Sequence, residues 1–243
     1  MFLKQFISTL LLSLILVQPA LSVLVAINNY EVITTGDSTD MDQSSTLPIT
    51  ATSQLLRNNG GVLGSTDADA SSLTETNPNA NSFEFTAIDF ASASVDRVPG
   101  AGNQNPTGSA TATHTIEFEL GVNEVVDVSF NLTYSIIESN AEAEVNWTLN
   151  GPDPNTTAIG GTDSTPGTNS SNIQTTTLSA PGTYTLTITA AIPNQSFGSN
   201  RSASANLDSL TFTAISVPEP SSTIMLVVGL TGFIWRRSLS SKK

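Results

Sequence analysis

A single histidine, His114, and no cysteine in 243 residues leave nucleophilic and transition-metal chemistry very few places to start. A Ser-His-Asp site could be assembled only around His114, and no Gly-x-Ser-x-Gly elbow accompanies it. His114 also shares parity with Ile116 and Phe118 on the apolar side of an alternating run, which predicts a core or rim residue. Zinc sites need three or four nitrogen or sulfur ligands in most cases, and this chain cannot supply them. Gly60, Gly61 and Gly64 lack a following Lys-Ser/Thr, and Gly100-Ala-Gly102 runs into Asn-Gln-Asn-Pro, so phosphate-cradling loops are excluded.

Glycoside hydrolysis needs only two carboxyl groups. Glu117 with Glu119, and Glu142 with Glu144, would each share one face of a strand at about 6.5–7 Å. Neither pair is set among the rings that line a sugar cleft, and solvated surface acids are the expectation for both. Calcium takes oxygen ligands, which Asp37, Asp40 and Asp42, Asp67 and Asp69 in a second polar segment, and Asp208 could offer. The run Asp37-Ser-Thr-Asp-Met-Asp42 lacks the glycine and distal glutamate of an EF-hand loop. Trp147, Tyr134 and Tyr184 have inward parity and are expected in the core; Tyr30 and Phe197 are less committed. Arg97 and Arg201, in polar segments, could hydrogen-bond a ligand. Asn131, Asn146 and Asn155 stand in Asn-x-Ser/Thr triplets, as expected of a chain this rich in asparagine and threonine.

The elements that would position these residues are strands. From Thr111 onward apolar and polar residues alternate, the signature of half-buried strands. His114, Ile116, Phe118 and Leu120 face one way; after a turn at 121–124, Val126 to Ile136 repeats the pattern, and the two are expected to pair as a hairpin. Ala143 to Leu149 gives a third strand, closed by Asn150-Gly151-Pro152. Residues 153–172 read as a long loop. Pro181-Gly182 launches a strand with Tyr184, Leu186, Ile188 and Ala190 inward, and 203–215 is the last strand. Upstream, 23–33 and 83–90 are the best strand candidates; 36–81 is mostly polar, with a short element at 47–56. No amphipathic helix is expected in the interior of the chain. The phrases Pro181-Gly-Thr-Tyr-Thr-Leu-Thr-Ile188 and Asn206-Leu-Asp-Ser-Leu-Thr-Phe212 resemble late strands of jelly-roll carbohydrate-binding modules. That resemblance spans 178–215 and implies a sandwich, with a weak structural calcium at Asp208 and an early acid such as Asp37.

Both ends read as targeting segments. Lys4, apolar Phe6 to Val17, Pro19 and the small residues Ala20 and Ser22 form a signal-peptide pattern, with cleavage expected after Ser22. At the other end Val217-Pro-Glu-Pro220 precedes an apolar stretch from Ile224 to Trp235, closed by Arg236, Arg237, Lys242 and Lys243. Pro218 and Pro220 each fix φ and remove a backbone donor, so the turn should be extended and readable by a cleft. This tail resembles the PEP-CTERM signal of Gram-negative bacteria. The resemblance implies export, recognition at Pro218, Glu219 and Pro220 with Arg236 and Arg237 behind them, processing by an exosortase, and release to the envelope or extracellular matrix. Here the closing cations split into two pairs, whereas many tails of that family end in one arginine cluster.

The expected organisation is residues 1–22 as signal peptide, 23–216 as one all-β domain, and 217–243 as sorting signal. Its fold class is an antiparallel, jelly-roll-like β-sandwich flanked by an N-terminal signal helix and a short C-terminal transmembrane helix. Without its ends the chain keeps Arg57, Arg97 and Arg201 as its only cations against 20 of the 21 acidic residues, three against twenty, or −17. So acidic a surface repels phosphate backbones and excludes nucleic acid as partner. The absence of lysine removes isopeptide and Schiff-base chemistry, and the absence of cysteine leaves stability to a buried core. The expected function is a non-enzymatic structural or adhesive envelope protein without a cofactor, and the alternative is a carbohydrate-binding module for exopolysaccharide. A secreted glycoside hydrolase is a distant third. Expected partners are signal peptidase, an exosortase, the inner membrane as a transient anchor, and exopolysaccharide.

Overall fold

Residues 107–120 alternate between buried and outward positions along their length, so one face of the segment can bury only against another layer. The same logic repeats along the chain and generates the fold. The computed structural model describes residues 27–36, 39–44, 49–56, 62–71, 74–79, 82–97, 107–122, 124–139, 142–153, 157–196 and 202–216. In chain order these give β1 (Ile27–Thr35), β2 (Thr39–Ser44), β3 (Ile49–Leu56), β4 (Val62–Ala70), β5 (Thr74–Asn79), β6 (Ser82–Arg97) and β7 (Thr107–Leu120). There follow β8 (Val126–Ser139), β9 (Glu144–Asn150), β10 (Thr157–Asp163), β11 (Gly167–Ser170), β12 (Gln174–Leu178), β13 (Gly182–Ser196) and β14 (Ser202–Ser216).

One sheet has the order β10-β9-β13-β7-β1-β2; the other has β11-β8-β14-β6-β4-β3, with β12 also on β8 and β5 also on β6. Every pairing is antiparallel. The chain crosses repeatedly from layer to layer, the connectivity of a jelly-roll-like sandwich. Inward residues of both sheets form one core. Phe118 stacks on Tyr184 at 5.4 Å and meets Phe212 at 5.9 Å, while Trp147 lies 5.8 Å from Tyr134 and 6.4 Å from Phe130. Each such ring, withdrawn from water, contributes about 1.5–3 kcal/mol. At Gly182 the backbone takes φ +131 with Pro152 underneath, a conformation only glycine holds without strain; this is the Pro-Gly launch of β13.

Four expectations are corrected. The expected flanking signal and transmembrane helices are not found among the described residues, which are strands and the turns between them, with no helix long and apolar enough to cross a membrane. The segments assigned to them, 1–22 and 217–243, lie outside the described residues. Strands β7 and β8 do not form a hairpin, although their turn exists, with the Gly121 amide donating to Glu124 Oε2 at 2.6 Å. They lie in opposite sheets, β7 between β13 and β1 and β8 beside β14, with β11 and β12 on its other edge. The expected loop at 153–172 contains β10 and β11. The mostly polar stretch 36–81 holds four strands, β2 to β5, of which β3 coincides with the short element expected at 47–56; the small or polar inward residues Ala51, Ser53, Thr66, Ala68 and Ala70 stand beside Ile49, Leu55 and Leu63 and dilute the hydropathy signal.

Candidate functional site

The outer face of the first sheet is a lattice of threonines. On β7, Thr113 and Thr115 stand opposite Thr189 and Thr187 of β13, which in turn stand opposite Asn146 and Thr148 of β9. The next row is Glu117, Thr185 and Asn150. Strand spacing sets neighbours about 4.8 Å apart across the sheet and about 6.7 Å apart along it. Thr113 and Thr189 share a hydroxyl hydrogen bond at 3.3 Å, and Asn150 Oδ1 accepts from Thr157 Oγ1 of β10 at 3.1 Å. A surface of this kind can hydrogen-bond a hydroxyl-rich chain over several units.

The second feature lies where the last strand leaves the sandwich. β14 is central in its sheet, and its register with β8 runs to Ser216 opposite Val126. On the outer face there, Thr177, Asp127 and Ile215 form one row and Thr175, Ser129 and Thr213 the next. These residues line an open groove of about 410 Å³. Thr177 Oγ1 donates to Asp127 Oδ1 at 2.6 Å, which leaves the second carboxylate oxygen for a partner, and Ile215 is 56 % exposed.

The single histidine is interior. His114 is fully buried between the ring edges of Tyr30 and Phe90, each at 5.0 Å. Its Nε2–H donates across the sandwich to Phe90 O at 3.0 Å, and Nδ1 has no partner. Burial pulls its pKa down to about 4, against a smaller upward pull from the hydrogen bond to Phe90. The same carbonyl accepts from the Ser71 amide at 2.7 Å. This fixes a double irregularity in which Asp89, at φ 46, and Asp208 interrupt the β6–β14 ladder. Asp208 accepts from Ser135 Oγ at 3.3 Å. Its carboxyl is held above the usual range by burial and by the charge of Asp89, with the Ser135 bond working the other way.

Asp37, the proposed partner of Asp208, lies outside the described residues, as do Arg201, Phe197, Asn155, Pro218, Glu219, Pro220, Arg236 and Arg237. Among the described residues no group of three or more His, Asp or Glu is placed to hold a metal. Asp40 sits on edge strand β2, where its Oδ2 accepts from the Thr52 amide at 2.9 Å; Asp42 is on the same strand. Asp67 and Asp69 are on β4, outward, and accept from Ser65 and Ser92. Glu117 and Glu119 face Thr185 and Thr183, and Glu144 faces Ala191, so these pairs do not confront each other across a cleft. Trp147, Tyr134, Tyr184 and Tyr30 are buried, and Arg97, at the end of β6, is nearly so.

Sequence reasoning missed the groove, because it depends on β12 lying beside β8, and nothing local announces that. It also missed the pair in which Tyr134 O–H donates to Asp163 Oδ2 at 2.7 Å. Asp163 is pushed upward by burial, but hydrogen bonds from Thr165, Tyr134 and Ser164 outweigh this and hold it below the usual carboxylate range.

The chain downstream of β14 matches a known sorting family over residues 216–238. It carries a PEP-CTERM protein-sorting motif. The PEP-CTERM match begins on Ser216, the final residue of β14, so sandwich and motif abut with no spacer. The finding agrees with the resemblance drawn from Pro218, Glu219 and Pro220. No curated protein matches the chain. Among solved structures, infectious bursal disease virus of the Gx strain aligns at TM-score 0.29 and 9 % identity, over 85 % of this chain and 54 % of that one. The chain thus spans about half the length of that protein. The Gt strain aligns at TM-score 0.27 and 10 % identity, over 81 % and 73 %. A structure described as carbohydrate-binding modules from the beta-sandwich super family aligns at TM-score 0.17 and 11 % identity, over 78 % and 85 %. Likenesses this distant bear on neither ligand nor partner.

One expectation attached to the PEP-CTERM tail is withdrawn. Transient anchoring in the inner membrane has no support, since no described helix is long and apolar enough to cross one. The apolar run from Ile224 to Trp235 is itself well short of the roughly 20 residues a span requires.

Proposed function

We propose that this is an exported, non-enzymatic protein of the cell envelope or extracellular matrix, whose sandwich adheres to carbohydrate. A signal peptidase would free the N-terminal end, and an exosortase would act at Pro218-Glu219-Pro220. The observation that carries the reading is the PEP-CTERM motif joined directly to the last strand of a sandwich. The threonine lattice on β7, β13 and β9 favours carbohydrate as what is bound. Its hydroxyl and amide rows complement a polymer of hydroxyls, and with Tyr30, Tyr134, Trp147 and Tyr184 buried, contact on this face is by hydrogen bonding more than by stacking.

The test is a glycan array probed with the 23–217 fragment, with and without calcium, beside a variant carrying Thr113→Val, Thr187→Val and Thr189→Val. Valine keeps the branched shape and the strand propensity while deleting the hydroxyls. At about 0.5–1.5 kcal/mol per hydrogen bond, binding should weaken by about tenfold or more. Silence of the parent fragment across diverse polysaccharides would leave only a structural role.

A further inference from the structure

The groove at the end of β14 lies where the sorting motif departs. Ser216 is still in register with Val126, and Pro218 follows two residues later. Two residues reach at most about 7 Å. Anything that grips Pro218-Glu219-Pro220 in extended form is therefore held against the end of the sandwich, where Thr177, Asp127 and Ile215 form the nearest outward row. β14 cannot lend length without unpairing, because Thr213, Ala214 and Ile215 are bonded on one side to β8 and on the other to β6.

Resting on the reading of the tail as a sorting signal, we propose that this groove is a docking surface for the enzyme that processes the Pro-Glu-Pro segment. The substrate is then the motif together with the folded end of the sandwich. The groove offers that enzyme an exposed apolar side chain, Ile215, ringed by the hydroxyls of Thr175, Thr177 and Thr213 and by the carboxylate of Asp127. This pattern suits a partner surface with an apolar contact and a cationic or hydroxyl donor. The tail itself is a poorer occupant, since Glu219 would be brought towards Asp127 with like charge. The arrangement also makes processing depend on folding. The row Thr177–Asp127–Ile215 comes from β12, β8 and β14 and exists only once those strands have paired.

The test follows maturation of the full-length protein by pulse-chase in its exporting cell, for three changes made separately. The first inserts an eight-residue Gly-Ser spacer between Ser216 and Val217. The second pairs Asp127→Asn with Ile215→Thr, both outward and compatible with strands, with resistance of the sandwich to protease confirming that the variant folds. The third replaces Pro218, Glu219 and Pro220 with alanine. The proposal expects the first two to slow processing at least fivefold while the sandwich stays folded. Unchanged or faster processing of the spacer variant, or an unchanged rate for the groove variant, overturns the docking surface. Normal maturation of the alanine variant overturns instead the sorting reading on which it rests, so the two failures are told apart.

Discussion

His114 shows how one titratable residue placed in a core fixes a stability profile. Its folded pKa, about 4, lies below the value of about 6.5 that the unfolded chain returns to. Between those two pH values the unfolded chain binds a proton that the folded chain refuses, so stability rises with pH across the window and falls as the pH drops through it. The full difference is about 3 kcal/mol. Urea denaturation at pH 7 and pH 4.5 should show most of that loss in the natural protein, alongside whatever the carboxylates contribute. His114→Leu keeps an apolar volume and removes the titration. It should be destabilised at pH 7 by about 1 kcal/mol for the lost hydrogen bond to Phe90, and it should show a shallower decline towards pH 4.5. Parallel declines in the two proteins would mean that the imidazole is not buried in its neutral form.

At the level of the strand, packing leaves little slack around Trp147. A side chain added at Gly161 would drive its Cβ into the indole of Trp147, so Gly161→Ala must displace the ring or bend β10. The expected cost is about 1–3 kcal/mol, read from chemical denaturation, with a red shift of tryptophan emission as the ring moves towards water. A variant as stable as the parent would contradict the packing of β10 on β9. Strands like these also show what a sequence can and cannot disclose. β7, β8, β13 and β14 were legible because Ile, Phe, Leu and Tyr recur at every second position. β4 was not, since after Leu63 its buried side chains are only Thr66, Ala68 and Ala70, and β2 was not, since all of it lies outward. Period-two alternation reports which face of a strand is buried and is silent on which strand lies beside it. For that reason the strands on either side of the 121–124 turn were expected as a hairpin and are found in opposite layers. The threonine rows follow the same rule: their outward parity could be read from 183–189, but their stacking into a lattice needed the register of β7 with β13 and β9.

For the whole molecule, address and cargo were readable to different degrees because they are encoded differently. The sorting motif is written linearly, in Pro218-Glu219-Pro220 and the residues that follow, and can be read off the sequence without knowing which strands pair. The threonine face and the groove beside Ile215 are assembled from strands as distant as those of Thr113 and Thr189, or Asp127 and Ile215. The joining of the two without a spacer has a consequence for the intact protein: the mature sandwich should end within a few residues of its last ladder bond. The most direct measurement is the mass of the protein recovered from the envelope or matrix fraction of cells that make it. The mature protein should begin near Val23, end near Val217 to Pro220 apart from any group joined there, and lack 224–243. Recovery of a chain that still carries Arg236 through Lys243 would contradict this expectation.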